Sequence, residues 1–106
     1  MAEKALLFCG TGAGMAMAAN KCRGAFAVVC ESVYTARMAR VINNANVLAM
    51  GAWVIAPEMA IMMVDTWLDT SFHEGMPEER QAFLCNAYTQ VRGIEERNMK
   101  EARGDD

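Results

Sequence analysis

Cys9 ends an apolar run, and Gly10, Gly12 and Gly14 follow it at alternate positions in the string Cys9-Gly10-Thr11-Gly12-Ala13-Gly14-Met15. A thiol can take and return a proton near neutral pH once its pKa is lowered. The glycines lead into the helix-forming string Met15-Ala16-Met17-Ala18-Ala19. A strand that passes through such a turn into a helix aims several backbone N–H groups, and the positive end of the helix dipole, at one spot. That spot suits an anion, with a thiol at its rim. Two plainer readings stand beside this one: glycines that only permit a tight turn, and Cys9 as a small core residue. The string is neither a Walker loop nor a full dinucleotide fingerprint. A place at the carboxyl end of a strand, where α/β sheets bind ligands, favours the chemical reading.

Other chemistry-bearing residues are sparse. Cys9, Cys22, Cys30 and Cys85 contain no Cys-x-x-Cys pair, and with His73 as the sole histidine a zinc site is not expected. His73 lies in a connector and reads as a solvated loop residue.

The elements that must position the loop alternate between strand and helix. Residues 5–9 read as a buried parallel strand, followed by a helix over about 13–20 and a turn at 21–24. Residues 25–30 form the second apolar run. Ser32 is a suitable N-cap for a helix over 33–42, stopped by Asn43-Asn44. Residues 46–51 are the third strand. Pro57 suits the first position of a helix reaching about Asp69. Residues 71–77 connect it to a last helix that opens at Glu78, with Leu84, Tyr88 and Val91 on one face. The charged tail, 95–106, is expected to fray. The fold class is α/β: a three-layer α/β/α sandwich on a parallel, Rossmann-like sheet with right-handed crossovers. Three strands are few for a parallel sheet. The chain therefore reads as the C-terminal part of a larger α/β unit, completed by another chain or truncated.

At 106 residues, the chain reads as a single domain over 1–106. Its 54% apolar content, high for this size, points to surface buried against another subunit. A net charge of −3, with scattered Lys and Arg, argues against nucleic acid as a partner. No apolar stretch is long enough to span a membrane, and free thiols fit a reducing, cytoplasmic setting.

Three blocks carry a resemblance: Cys9-Gly-Thr-Gly-Ala-Gly-Met-x-x-Ala18-Ala19-Asn20-Lys21, Ala27-Val28-Val29-Cys30, and Asn43-x-x-Asn46-Val47-Leu48-Ala49-Met50-Gly51. In order and spacing they resemble ribose-5-phosphate isomerase B, of the family that also holds the galactose-6-phosphate isomerase subunits. The likeness runs over about residues 5–91, roughly the last two-thirds of a family member. It implies interconversion of an aldose and a ketose phosphate through an enediolate, ribose 5-phosphate and ribulose 5-phosphate first among such pairs. It also implies a phosphorylated pentose or hexose as substrate, no cofactor, and a homodimer or homotetramer. Cys9 would be the base, as in the cysteine branch of the family, with Thr11 beside it. Backbone N–H groups of Gly10, Gly12, Ala13 and Gly14 would form the oxyanion hole. Asn43 matches a residue that reaches the substrate across the dimer interface; a helix C-cap is the alternative. Arg80 matches a phosphate-binding arginine; an ordinary surface arginine is the alternative.

The chain departs from that pattern in four places. It starts after the family's Asp-His strand. Ile42 stands where the family has a ring-opening histidine, Trp53 replaces a common arginine, and Met76 or Pro77 falls where a second phosphate-binding arginine is expected. The competing expectation is therefore a catalytically inactive sugar-phosphate-binding or structural subunit of the same family.

Overall fold

The computed structural model describes residues 3–102 and 104. They form β1 (Ala5–Cys9), α1 (Ala13–Ala19), β2 (Ala27–Val29), α2 (Val33–Val41), β3 (Val47–Gly51), α3 (Pro57–Asp69) and α4 (Glu78–Ala102). The chain divides into two compact units, one ending at Glu74 and one beginning at Gly75.

In the first unit the strands form one parallel sheet in the order β1-β3-β2. Ala5 is opposite Val47 and Cys9 opposite Gly51, while Ala27 is also opposite Val47. All five residues of β3 are buried, which is what a central parallel strand with an unbroken apolar sequence requires. Side chains alternate across the sheet. Leu48 and Met50 enter the main core with Ala36 and Ala39 of α2 and Met63 and Trp67 of α3. On the opposite face α1 packs against all three strands through the buried Ala16. Helices on both faces give the three layers expected from the sequence.

β1 pairs on one side only among the described residues. Leu6 and Phe8, in register with Leu48 and Met50, stay 41% and 53% exposed. The first strand is thus an edge with an uncovered apolar face.

One expected boundary shifts, and two helix starts fall where the sequence puts them. β2 is three residues long rather than six, and the side chains of Asn20 and Asn46 take over the backbone at its start. Asn20 Oδ1 accepts from Ala27 N at 2.7 Å, and Asn46 Oδ1 accepts from Phe26 N at 2.8 Å. α2 begins at a capping box: Ser32 Oγ accepts from Thr35 N, and Thr35 Oγ1 accepts from Ser32 N. Pro57 takes the first position of α3.

The second unit is the connector from Gly75 and α4, a helix of 25 residues. It runs past Gly93 and continues beyond Glu95, where fraying was expected. Glu, Arg, Met and Lys are all good helix formers, so a charged exposed segment prolongs the helix. The expected tail lies partly outside the described residues.

Candidate active site

The site grows from the carboxyl edge of the sheet, where β1 and β3 end side by side at Cys9 and Gly51. Two loops leave this edge and are tied together. Ala52 N donates to Cys9 O at 2.8 Å, and Trp53 N donates to Gly10 O at 3.0 Å. The approach is too close for side chains. A Cβ on Gly51 would lie 2.7 Å from the Thr11 carbonyl carbon, and one on Gly12 would lie 3.0 Å from that of Met50. Gly12 also has φ +90°, a left-handed conformation costly to other residues. The plain turn-forming reading is therefore true of Gly12, yet it does not account for Gly14, around which space is open.

The turn bends the backbone round the sulfur. Gly12 N donates to Cys9 Sγ at 3.1 Å. The N–H of Met15 does most to hold the Cys9 thiol below its ordinary range; burial opposes this, and the N–H groups of Gly12, Thr11 and Gly14 add to the lowering. Cys9 is half-buried, open enough to meet a ligand. Thr11 is exposed, and its Oγ1 accepts weakly from Ala13 N at 3.4 Å, at the start of α1. The Cys9 thiol, biased toward thiolate, thus lies among the N–H groups of Thr11, Gly12, Gly14 and Met15, while Ala13 N turns to Thr11 Oγ1 and Gly10 O is tied to Trp53 N. This arrangement can accept a carbon-bound proton and steady an adjacent oxygen as it gains charge.

Asn43 does not join this cluster within one chain. It lies four residues before Val47, at the amino edge of the sheet, whereas Cys9 is at the carboxyl edge; the strand between spans about 13 Å. Nor does it cap α2. Ile42 is the C-cap, and the left-handed position with φ +51° falls on Asn44, whose Oδ1 accepts from Arg40 Nη1 at 3.0 Å. Asn43 is left exposed. Ile42 beside it is 43% exposed.

Arg80 is exposed in the first turn of α4, with its guanidinium carbon 5.8 Å from the Phe83 ring centroid. His73 is half-buried rather than solvated: its backbone N donates to Val41 O at 2.9 Å, and its ring lies 5.0 Å from that of Phe72. Among the described residues, no three His, Cys, Asp or Glu side chains come close enough to hold a metal ion, and no helix is long and apolar enough to cross a membrane.

Trp53 is a neighbour of the site that residue-type reasoning marks only as a missing arginine. It is 86% exposed, and its ring atoms Cε3 and Cζ3 lie 2.7 Å from where a Gly10 Cβ would be. The signal in the sequence was a bulky aromatic two residues after the glycine that ends the third strand.

Comparison with known proteins places the chain among sugar isomerases by sequence and fold. Residues 1–84 match a family model described as Ribose/Galactose Isomerase. The chain is 50% identical over 94 residues to the 4-deoxy-4-sulfo-D-erythrose isomerase of a Clostridium species, covering 89% of this chain and 59% of that protein. It is 47% identical over 73 residues to the D-erythrulose-4-phosphate isomerase of Pectobacterium atrosepticum, covering 69% and 48%. Among solved structures, ribose-5-phosphate isomerase B of Clostridium thermocellum superposes with a TM-score of 0.77 at 39% identity, covering 90% of this chain and 60% of that one. The chain spans about half to three-fifths of the length of these relatives.

Proposed function

The chain belongs to the Ribose/Galactose Isomerase family, and from that premise we propose that it carries the proton-transfer loop of an aldose–ketose isomerase acting on a phosphorylated sugar. The observation that carries this reading is the Gly12 N–H directed at Cys9 Sγ at 3.1 Å, in a loop that holds the thiol below its usual range.

The Cys9 thiolate removes the proton from the carbon next to the carbonyl. The bonding pair moves into the carbon–carbon bond and the carbonyl pair onto oxygen, giving an enediolate. The thiol then returns the proton to the former carbonyl carbon, and the proton on the neighbouring hydroxyl shifts between the two oxygens. Backbone N–H groups of residues 10–14 stabilise the oxygen that gains charge, and Thr11 lies beside them. Asn43 lies at the far edge of the sheet, so it would reach this loop from a second copy of the chain, which favours a homodimer. Arg80 is the candidate anchor for the phosphate.

Ribose 5-phosphate and ribulose 5-phosphate are the first pair to test. A four-carbon pair is the second reading, and Ile42 favours it. A sugar of four carbons with its anionic group on the last carbon has no hydroxyl placed to close a five-membered ring. It would need no ring-opening acid at position 42. Two relatives at 50% and 47% identity are named for four-carbon sugars.

Incubation of the chain, alone and mixed with a full-length relative, with ribose 5-phosphate and with erythrose 4-phosphate tests the proposal. The expected result is ketose formation that disappears in Cys9→Ser. A thermal shift with ligand but no turnover above the Cys9→Ser background would leave a sugar-phosphate-binding subunit in its place.

A further inference from the structure

Resting on the isomerase reading, we propose that Trp53 is a specificity residue that touches the substrate. Its indole forms the wall against which the carbon chain of the sugar lies while the carbonyl end reaches Cys9. The two tryptophans of the chain have opposite surroundings: Trp67 is fully buried in the core, whereas Trp53 is 86% exposed. The backbone that carries the exposed ring is nonetheless fixed in place. Trp53 N is bonded to Gly10 O, the preceding Ala52 N to Cys9 O, and both Val54 N and Ile55 N to Gly51 O at 3.0 Å. The backbone that carries the ring is thus laced to the residue that supplies the base and to the one after it.

The benzo edge of the ring lies over Gly10, and only a glycine leaves room for it there. The rest of the indole extends into solvent from the residue that follows Cys9 in the chain. An aromatic surface placed next to a few polar donors is the usual composition of a small-molecule site. It offers no charge to an anion, so it selects for the C–H face of the ligand rather than for its phosphate. The anionic end must then be held by other groups, which separates recognition of the carbon chain from recognition of charge.

Acrylamide quenching of tryptophan fluorescence reads this directly, because quencher reaches Trp53 and not the buried Trp67. On the full chain, ribose 5-phosphate or erythrose 4-phosphate should lower the quenching constant about twofold, since a bound ligand covers much of the ring. Inorganic phosphate should leave the constant unchanged. The same protection is expected in Cys9→Ser, in which proton transfer is removed but the wall is intact. In turnover, Trp53→Ala should raise KM about tenfold with kcat changed less than about twofold, and Trp53→Phe should restore most of the loss.

Turnover with no protection of Trp53 and no rise in KM would overturn this proposal and leave the isomerase reading standing. Equal protection by inorganic phosphate would also overturn it. Protection without turnover would uphold it while removing the catalytic reading. Neither protection nor turnover would remove both.

Discussion

Cys9 and Cys30 occupy equivalent places on either side of β3, each at the carboxyl end of an outer strand and just before a helix. Their environments diverge because the two turns spend their backbone donors differently. After β2, Thr35 Oγ1 accepts from the N–H of Glu31 and of Ser32, and Ser32 Oγ accepts from Thr35 N. That capping box closes the helix start, and Cys30 is 1% exposed. Burial pushes its thiol up, with the Thr35 hydroxyl opposing. After β1, the cap is Gly12, which has no side chain to spend, and the N–H groups face Cys9 instead. One strand–cysteine–turn–helix pattern therefore yields a buried thiol held above its ordinary range and a half-buried one held below it. The difference lies in whether side-chain oxygens or sulfur receive the helix's free N–H groups.

Breaking each half of this pair should give separable effects. The largest is Cys9→Ser, for which turnover should fall about 10²–10⁴-fold, the usual range for a lost general base. Cys30→Ser should leave kcat within about twofold and lower the melting temperature, since it places a hydroxyl in a buried apolar site. Steady-state kinetics and thermal unfolding on the two variants check both.

Gly12→Ala should come next. It forces a residue with a side chain to φ +90°, against backbone at 3.0 Å, which costs about 1–3 kcal/mol or more. It should also weaken the Gly12 N–H contact with Cys9 and move the thiol pKa upward. Gly14→Ala, whose Cβ meets nothing within 4 Å, should leave stability nearly unchanged. Urea denaturation of the two variants tests the contrast. Ser32→Ala should cost about 1 kcal/mol through loss of the cap, yet leave the Cys9 thiol as it is. The reverse pattern would show that the two turns are coupled.

The two thiols also carry opposite pH signs. Cys9 is lowered in the folded chain, so its contribution to stability is present above the ordinary cysteine pKa and is lost as pH falls through the folded value. Cys30 is raised, so its contribution is fully present below the unfolded value, about 8.5, and is lost as pH climbs from there through the higher folded value. Replacing Cys30 with Ala should therefore flatten the alkaline fall in melting temperature. Replacing Cys9 should not.

Much of the frame was legible in residue order. The run in β3 is apolar at every position, as burial on both faces demands, and Ser32 and Pro57 mark helix starts by chemistry that does not depend on tertiary context. The site loop was legible because glycine at 12 has one backbone use that few residues share. What escaped the sequence depended on contacts distant in the chain. Asn20 and Asn46 look like turn residues, and only the fold brings their amides against the backbone near Ala27 and Phe26. Asn43 and Asn44 are chemically identical, and only the backbone shows that Asn44 closes α2. Trp53 read as an arginine lost, because its closeness to Gly10 requires two loops to meet.

The most direct test is the pH dependence of iodoacetamide alkylation at each cysteine, followed peptide by peptide in one sample of the folded chain. The same reaction with the urea-unfolded chain supplies the reference for each cysteine. Cys9 should reach half its maximal rate at a clearly lower pH in the folded chain than in the unfolded one, and Cys30 should stay unmodified until the chain unfolds. A folded Cys9 midpoint equal to or above its unfolded one would contradict the claim that the glycine turn holds this thiol ready to act as a base.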